Sequence, residues 1–327
     1  MSKLVISLVT YNGARYVPHC LQSLFCQTYK DWQLVILDNG SIDNTGNIIK
    51  NLVADKKNIT VLPAKQNNIG FARGHNEVIN KSESEYILLL NQDVVLTNNY
   101  LAIIVDFLDK KNKAGSISGK ILRWQFLEGQ IHTTDIVDSA GLVVYKNFQV
   151  KDIGAGKQDG GQYDNNEEVF GVSGALPCYR RQALRDVGLF DKSFFSYKED
   201  VDMAFRLRNH GWKSYCIGSA IAYHERGMRA GQGEKSIDIV NNRRVKSEFG
   251  NYLSYRNHWF VLLKNASLLD WAKYGIFICW YEVKKLVYLA VFEPKTLYAW
   301  VEIIKNFSGL LQKRRVIQPK SISRWIR

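Results

Sequence analysis

The chain has 327 residues, 46% of them apolar and 23% charged, with a formal net charge of +13. That balance excludes a disordered chain and supplies enough apolar material for one large α/β domain with an appended segment. Sixteen Lys or Arg against five Asp or Glu fall between Arg243 and Arg327, so residues 1–242 carry only +2. The electrostatic partner, a polyanion or an anionic surface, therefore belongs to the C-terminal segment.

In chain order, Leu4 to Thr10 is β-rich, Tyr16 to Gln27 has helical spacing, Leu34 to Asp38 is a strand and Asn44 to Ala54 a helix. Ile59 to Leu62, Phe71 to Asn80, Tyr86 to Leu90 and Tyr100 to Leu108 continue the alternation. This pattern predicts a doubly wound, mostly parallel α/β sheet with right-handed crossovers. Between Gly115 and Gly174 it gives way to short β-like pieces, with a turn-rich loop over Gly154 to Asn166. Phe170 to Tyr179 then reads as a strand, and Arg181 to Val187 and Asp200 to Asn209 as helices. Three units are expected: an α/β half over 1–114, a second half of the same domain over 115–265, and a basic, aromatic-rich helical segment over 266–327.

The run Tyr86-Ile87-Leu88-Leu89-Leu90 stops on Asn91-Gln92-Asp93. Open α/β sheets bind ligands beyond the carboxyl ends of such strands, although Asn and Asp also close ordinary strand-end turns. Thr10-Tyr11-Asn12 and Asp38-Asn39-Gly40-Ser41-Ile42-Asp43 end two other strands in the same way. Such clusters suit the base and ribose of a nucleotide, and equally suit helix N-caps. In Asn67 to Asn76, Gly70 and Gly74 permit close backbone approach, Arg73 can oppose phosphate, and Asn68 or Asn76 can bond to sugar hydroxyls; His75 reads as structural. Glu199, Asp200 and Asp202 crowd three carboxylates into four positions. Asp202 and Arg206 are spaced to pair on a helix, which leaves Glu199 and Asp200 at its entry, with Asp200 the candidate general base. His224, in Tyr223-His224-Glu225-Arg226-Gly227 after another β run, can complete a metal site or simply be a satisfied structural histidine.

Other chemistries lack support. No G-x-G-x-x-G follows the first strand, the glycines of 154–160 lack the Ser or Thr of a phosphate loop, and zinc spacing and a G-x-S-x-G elbow are missing. The five cysteines are odd in number and without C-x-x-C spacing, as expected of reduced core thiols in a cytoplasmic protein. Met1 to Thr10 has no secretory-signal pattern.

Taken together, Ser7-Leu8-Val9-Thr10-Tyr11-Asn12, Asp38-Asn39-Gly40-Ser41, Asn68-Ile69-Gly70-Phe71-Ala72, Asn91-Gln92-Asp93 and Glu199-Asp200-Val201-Asp202 resemble, in order and spacing, family 2 glycosyltransferases with the GT-A fold. The resemblance spans about 3–265. Asp138-Ser139-Ala140-Gly141 and Gly188-Leu189-Phe190-Asp191, followed by Phe194 to Tyr197, look like the rhamnosyltransferase-like branch that builds cell-surface polysaccharides. The resemblance implies that Thr10, Tyr11, Asn12 and Asp38 surround a nucleotide sugar whose base is thymine, uracil or guanine. Asn68, Gly70, Arg73, Asn91 and Gln92 are grouped with that donor site. Asp93 would hold Mg2+ or Mn2+ on the diphosphate with help from His224; Asp200 would be the base, with Glu199 beside it, and Gly174, Ala175 and Tyr197 would face the acceptor. The implied reaction is inverting, single-displacement sugar transfer to a saccharide hydroxyl, with rhamnose among the candidate sugars. One departure is Asn91, where many relatives carry Asp; it removes a charge and leaves the donor to complete the metal's coordination.

The last eighty residues carry apolar runs at Trp259 to Leu263, Tyr274 to Tyr281 and Leu286 to Phe292, interrupted by Lys273, Glu282, Lys284 and Lys285. None is long enough to span a bilayer. On a helical wheel Ile276, Phe277, Trp280, Val283, Val287 and Val291 share a face, with Lys284 among them. This suits peripheral association with the inner membrane surface, aided by the basic tail 313–327 and a lipid-linked acceptor; packing on a core or a subunit partner is the alternative. A nucleic-acid partner is not expected. Two rival functions are a nucleotidyltransferase making nucleotide sugars, which lacks its glycine-rich N-terminal loop here, and a non-catalytic sugar-nucleotide-binding membrane scaffold, against which Asp93 and Glu199-Asp200 argue.

Overall fold

Branched aliphatic residues make Leu4–Thr10 the strand β1, buried along nearly its whole length at the middle of the sheet. In the computed structural model, which describes residues 2–225, 243, 247–314 and 320–327, with the side chains of 320 and 321 left aside, β1 lies parallel to both β2 (Trp32–Asp38) and β4 (Tyr86–Asn91). The strand β3 (Ile59–Val61) extends the parallel set beyond β2. Helices α1 (Val17–Phe25), α2 (Thr45–Val53) and α3 (Phe71–Asn80) make the crossovers. Pairing of Thr10 with Asp38 and of Val9 with Asn91 brings the carboxyl ends of three strands to one edge.

The second half continues the same sheet. After β5 (Val94–Leu96) and α4 (Tyr100–Lys110) come β6 (Ala114–Leu127), β7 (Gln130–Ser139), β8 (Leu142–Val144), β9 (Val150–Asp152), β10 (Glu167–Val169) and β11 (Cys178–Arg180). Then follow α5 (Arg181–Val187), α6 (Glu199–Asn209) and β12 (Lys213–His224). The strand order is β10-β12-β6-β11-β4-β1-β2-β3, with β5 on β12 and β7 on β6. Antiparallel β11 joins β4 to β6, while β6 and β12 run parallel.

Two elements differ from the sequence reading. β8 and β9, which pair with each other in a separate two-stranded sheet, and β10 are short, as expected after Gly115, but before them stand the long strands of a β6–β7 hairpin. Their hydrophobic signal is broken by Lys120 and Arg123, which are buried inside β6 against Asp159 and Asp164, and Asp138, respectively. Conversely, the strand expected over Phe170 to Tyr179 is confined to Cys178–Arg180. Before it the chain is a loop whose Ala175 and Pro177 carbonyls accept from the Asn91 and Leu89 amides of β4. Cys20, Cys178 and Cys216 are buried as expected, but Cys26 and Cys279 lie at the surface.

The C-terminal helices are α7 (Glu248–Asn265), α8 (Leu268–Phe292), α9 (Ala299–Gln312) and the short α10 (Lys320–Ser323). A capping box, with Ser267 Oγ accepting from the Asp270 amide and the Asp270 carboxylate accepting from the Ser267 amide, restarts the helix between α7 and α8. Tyr255, Phe260, Ile278, Leu289, Ile303 and Leu310 form one apolar cluster with Phe148, Phe194 and Phe205 of the second half. The segment is thus built onto the α/β domain rather than hanging from it. Among the described residues no helix is long and apolar enough to cross a membrane.

Candidate functional site

The ends of β1 and β4 open into a cleft of about 510 Å³. Val9, Thr10 and Tyr11 contribute from β1 and the turn after it, Asn39 from the β2 end, Asn68, Gly70 and Phe71 from the entry to α3, and Asn91, Gln92 and Asp93 from the β4 end. Opposite in sequence, Phe195, Ser196 and Tyr197 close it together with Ser247, Phe249, Gly250 and Leu253 at the start of α7.

Much of the polar side-chain capacity here is spent on shaping loops. Asp38 Oδ1 accepts from the Ser41 amide at 3.1 Å and hydroxyl at 2.6 Å, and Asn12 Oδ1 accepts from the Ile42 amide at 2.9 Å. Asn12 itself sits at φ 47°, a left-handed conformation that Asn tolerates better than most residues. Gln92 exchanges two hydrogen bonds with the Tyr11 backbone, at 2.9 and 3.0 Å, and so braces the β1 turn. Asn39 was not singled out by the sequence reading, yet it is buried and organises the α3 entry by donating to Asn68 Oδ1 and accepting from the Ile69 amide, both at 3.0 Å. Thr10 Oγ1 is buried and has no hydrogen-bond partner among the described residues. Asn12, Asp38 and Arg73 stand outside the cleft lining, as do Gly174, Ala175, Glu199, Asp200 and His224, and Arg73 is exposed on α3. His75 is buried, its Nδ1 2.7 Å from Ser7 Oγ, in the structural role expected of it.

Beyond Asn91, the Asp93 carbonyl accepts from Trp124 Nε1 at 2.9 Å and from the Glu225 amide at 3.0 Å, which fixes the backbone below its carboxylate. Asp93 Oδ1 is buried, has no hydrogen bond among the described residues and lies 3.4 Å from His224 Nε2. His224 Nδ1 is 2.8 Å from Asp138 Oδ2. Burial disfavours the charged imidazole, but Asp93 and Asp138 on its two nitrogens outweigh this and raise its pKa to about 10. A carboxylate behind one histidine nitrogen is also the arrangement that orients the other toward a metal. The described residues contain no group of three or more His, Cys, Asp or Glu poised to hold an ion. Asp93 and His224 therefore fit a divalent cation only as a partial set, with phosphate oxygens and water for the rest.

The second acidic cluster reaches the first through two residues. The Asn91 amide donates to the Ala175 carbonyl at 3.1 Å, and the Gly174 amide donates to Asp200 Oδ2 at 2.9 Å. Asp200 Oδ1 accepts from its neighbour Val201's amide at 2.7 Å. Burial pushes the Asp200 carboxyl above the usual carboxylate range, with the Asp152 charge adding to the shift. Glu199 is buried beside it. Asp202, by contrast, is structural: it meets Arg206 Nε and Lys264 Nζ, each at 2.8 Å, and Asn265 Nδ2 at 3.0 Å. Burial raises its pKa, but these cations more than reverse that and leave it lowered. Of the Tyr223 to Gly227 stretch, Arg226 and Gly227 lie outside the described residues, as do 315–319 of the basic tail.

A sequence model described as glycosyl transferase family 2 matches residues 5–188. The poly-beta-1,6-N-acetyl-D-glucosamine synthase of Staphylococcus epidermidis is 23% identical over 309 residues, covering 93% of this chain. This chain spans only 64% of that synthase's length. The N-acetylglucosaminyl-diphospho-decaprenol L-rhamnosyltransferase of Mycobacterium tuberculosis is 24% identical over 250 residues, covering 71% of this chain and 79% of the relative. Among solved structures, GalNAc-T7 with UDP, GalNAc and Mn2+ superposes with a TM-score of 0.63 at 13% identity, over 85% of this chain and 50% of its own, a likeness of fold.

Proposed function

Since the chain belongs to glycosyl transferase family 2, we propose that it transfers a sugar from a nucleotide diphosphate donor to a saccharide hydroxyl in cell-surface polysaccharide synthesis. By their names, the Staphylococcus epidermidis relative makes a poly-N-acetylglucosamine and the Mycobacterium tuberculosis relative transfers rhamnose to a decaprenol-linked sugar, and both fit this reading. The observation that carries it is the short bridge by which Gly174 and Ala175 tie Asp200 to the Asn91 strand end. That bridge fixes the turn bearing the candidate base to the strand whose end carries Asp93.

In this reading the half over 1–114 holds the nucleotide, 115–265 holds the acceptor and the base, and 266–327 meets the membrane. Thr10 Oγ1, Tyr11 and Asn68 face the nucleoside, while Asp38 and Asn12 act by fixing the loop that receives it. Asp93 would hold Mg2+ or Mn2+ for the donor diphosphate, with His224 joining as a ligand once the ion displaces its Nε2 proton, and the ion would supply positive charge to the departing phosphate. Asp200 takes the proton of the acceptor hydroxyl, which attacks the anomeric carbon opposite the phosphate and inverts its configuration. The Gly174 and Val201 amides keep the Asp200 carboxylate oriented, and Tyr197, at the cleft rim, faces the acceptor with Gly174 and Ala175.

The acceptor is read as lipid-linked and the protein as peripheral on the inner membrane surface. Ile276, Phe277, Trp280, Val283, Val287 and Val291 are all exposed on one face of α8. Lys284 lies 5.4 Å from the Trp280 ring and Lys146 lies 5.3 Å from that of Phe277, positions from which a lysine can reach headgroups.

The test is mass spectrometry of products formed from membranes with dTDP-, UDP- and GDP-sugars. One donor should add a single sugar and release nucleoside diphosphate, and Asp93→Ala should abolish the metal-dependent part while remaining folded. Binding of every donor without turnover would instead favour the scaffold reading.

A further inference from the structure

The turn that delivers Asp200 is conformationally expensive. Phe195, Tyr197 and Lys198 have positive φ of 62°, 69° and 69°; Lys198 is left-handed, while Phe195, with ψ −70°, centres a γ-turn closed by the Ser196 amide donating to the Phe194 carbonyl at 2.8 Å, and such backbones cost non-glycine residues about 1–3 kcal/mol each when not compensated. Three such residues within four positions persist only if their surroundings hold them. On one side the Ala72 amide of α3 donates to the Phe195 carbonyl at 3.2 Å. On the other, a single buried side chain of α7 does most of the holding: Asn257 Nδ2 lies 2.9, 2.8 and 2.6 Å from the carbonyl oxygens of Phe194, Ser196 and Tyr197.

The orientation of that amide is fixed in turn. Arg256 Nε donates to Asn257 Oδ1 at 3.0 Å, which points the nitrogen at the turn. The same guanidinium donates through Nη2 to the Ser193 and Phe194 carbonyls at 2.9 and 3.1 Å, and through Nη1 to Glu302 of α9 at 2.5 Å. Asn257 is fully buried and Arg256 nearly so. Neither belongs to the segment matched by the family sequence model, which ends at residue 188.

We infer that Asn257, oriented by Arg256, is a positioning residue for sugar transfer: it holds the strained 194–198 turn and so sets Tyr197 in the cleft lining and Asp200 in the first turn of the helix that follows. This rests on the reading of Asp200 as the base. The chemistry is selective for an amide, because a carboxylate at 257 would face three carbonyl oxygens with no hydrogen to offer. Asn257→Asp should therefore behave like Asn257→Ala despite its shape.

The experiment pairs amide hydrogen exchange over residues 193–201 with steady-state turnover in the full chain. Both variants are expected to raise exchange at least about tenfold in that segment and to lower kcat about 100-fold, the scale of a small misplacement of reacting groups. Phe195, Ser196 and Tyr197 line the same cleft as Thr10 and Asp93, so donor Kd is measured alongside and should rise by less than kcat falls. Adding Lys198→Gly to Asn257→Ala removes one left-handed penalty and should recover part of both signals, which a general loss of packing would not allow. Unchanged exchange, or raised exchange with unchanged kcat, would overturn the positioning role. If the unsubstituted protein turns over no donor, the exchange data still decide whether the clamp exists, and it is the transferase reading that fails.

Discussion

Two opposed influences meet at the Asp200 carboxyl. Burial disfavours its charge, while the Gly174 and Val201 amides favour it, and the net shift is upward. A base must be ionised to accept a proton, so activity is expected to fall as pH drops through a value above the usual carboxylate range. A kcat profile with its acid limb there fits this role; a limb at the ordinary aspartate position would argue against it. Two residues on, the sign is reversed. Asp202 has its pKa lowered because Lys264 and Arg206 outweigh burial, so its contribution to stability is present above the unfolded-state pKa and lost as pH falls through the folded one. Asp202→Ala strands buried cations and should cost about 3–5 kcal/mol in denaturant unfolding. A loss below about 1 kcal/mol would mean that the network is redundant. The sequence reading separated these carboxylates by helix spacing alone, since i,i+4 placement of Asp202 and Arg206 is visible in one dimension. It could not separate Asp38 from Asn39. Both end the same strand, and only the folded loop reveals that Asp38 bonds to Ser41 while Asn39 lines the cleft.

Among the elements, the parallel strands and their crossover helices were legible because their apolar runs are uninterrupted. The hairpin of β6 and β7 was not, because Lys120 and Arg123 are buried with acidic partners and mimic loop composition. The part played by α7 was hidden for a related reason. Its Arg256, Asn257, Lys264 and Asn265 are buried polar residues with partners 60 to 73 residues earlier in the chain and, for Arg256, also at Glu302, so neither a stripe nor a motif marks them. The α3 entry meets the same turn from the other side. Gly70 has φ 86°, and a Cβ there would fall 2.6 Å from the Phe195 carbonyl oxygen. The glycine lines the cleft, as a ligand-facing residue should, and also admits the Phe195 turn. Gly70→Ala should therefore destabilise the fold by about 1–3 kcal/mol and disturb donor binding and turnover together. Wild-type stability in thermal unfolding would show that α3 can back away from the turn.

For the molecule as a whole, the C-terminal helices do two things at once. Their inner residues, among them Tyr274, Ile278, Leu289 and Ile303, complete the core of the second half, while the outer face of α8 remains apolar. Deleting 268–327 would open that core, so membrane binding is better probed by changes confined to the outer face. Trp280→Glu combined with Val287→Glu should leave thermal stability close to wild type and reduce binding to anionic vesicles at least about tenfold, given the cost of placing charges among acyl chains. Equal vesicle partitioning would remove the membrane from the reading without touching the transfer chemistry. That chemistry is tested most directly by single-turnover transfer with Asp200→Asn, using the donor and acceptor identified from the product screen and measuring donor Kd in the same preparation. Loss of at least about 100-fold in rate with donor Kd within about threefold is expected of a missing general base. Transfer by Asp200→Asn at the wild-type rate would contradict it.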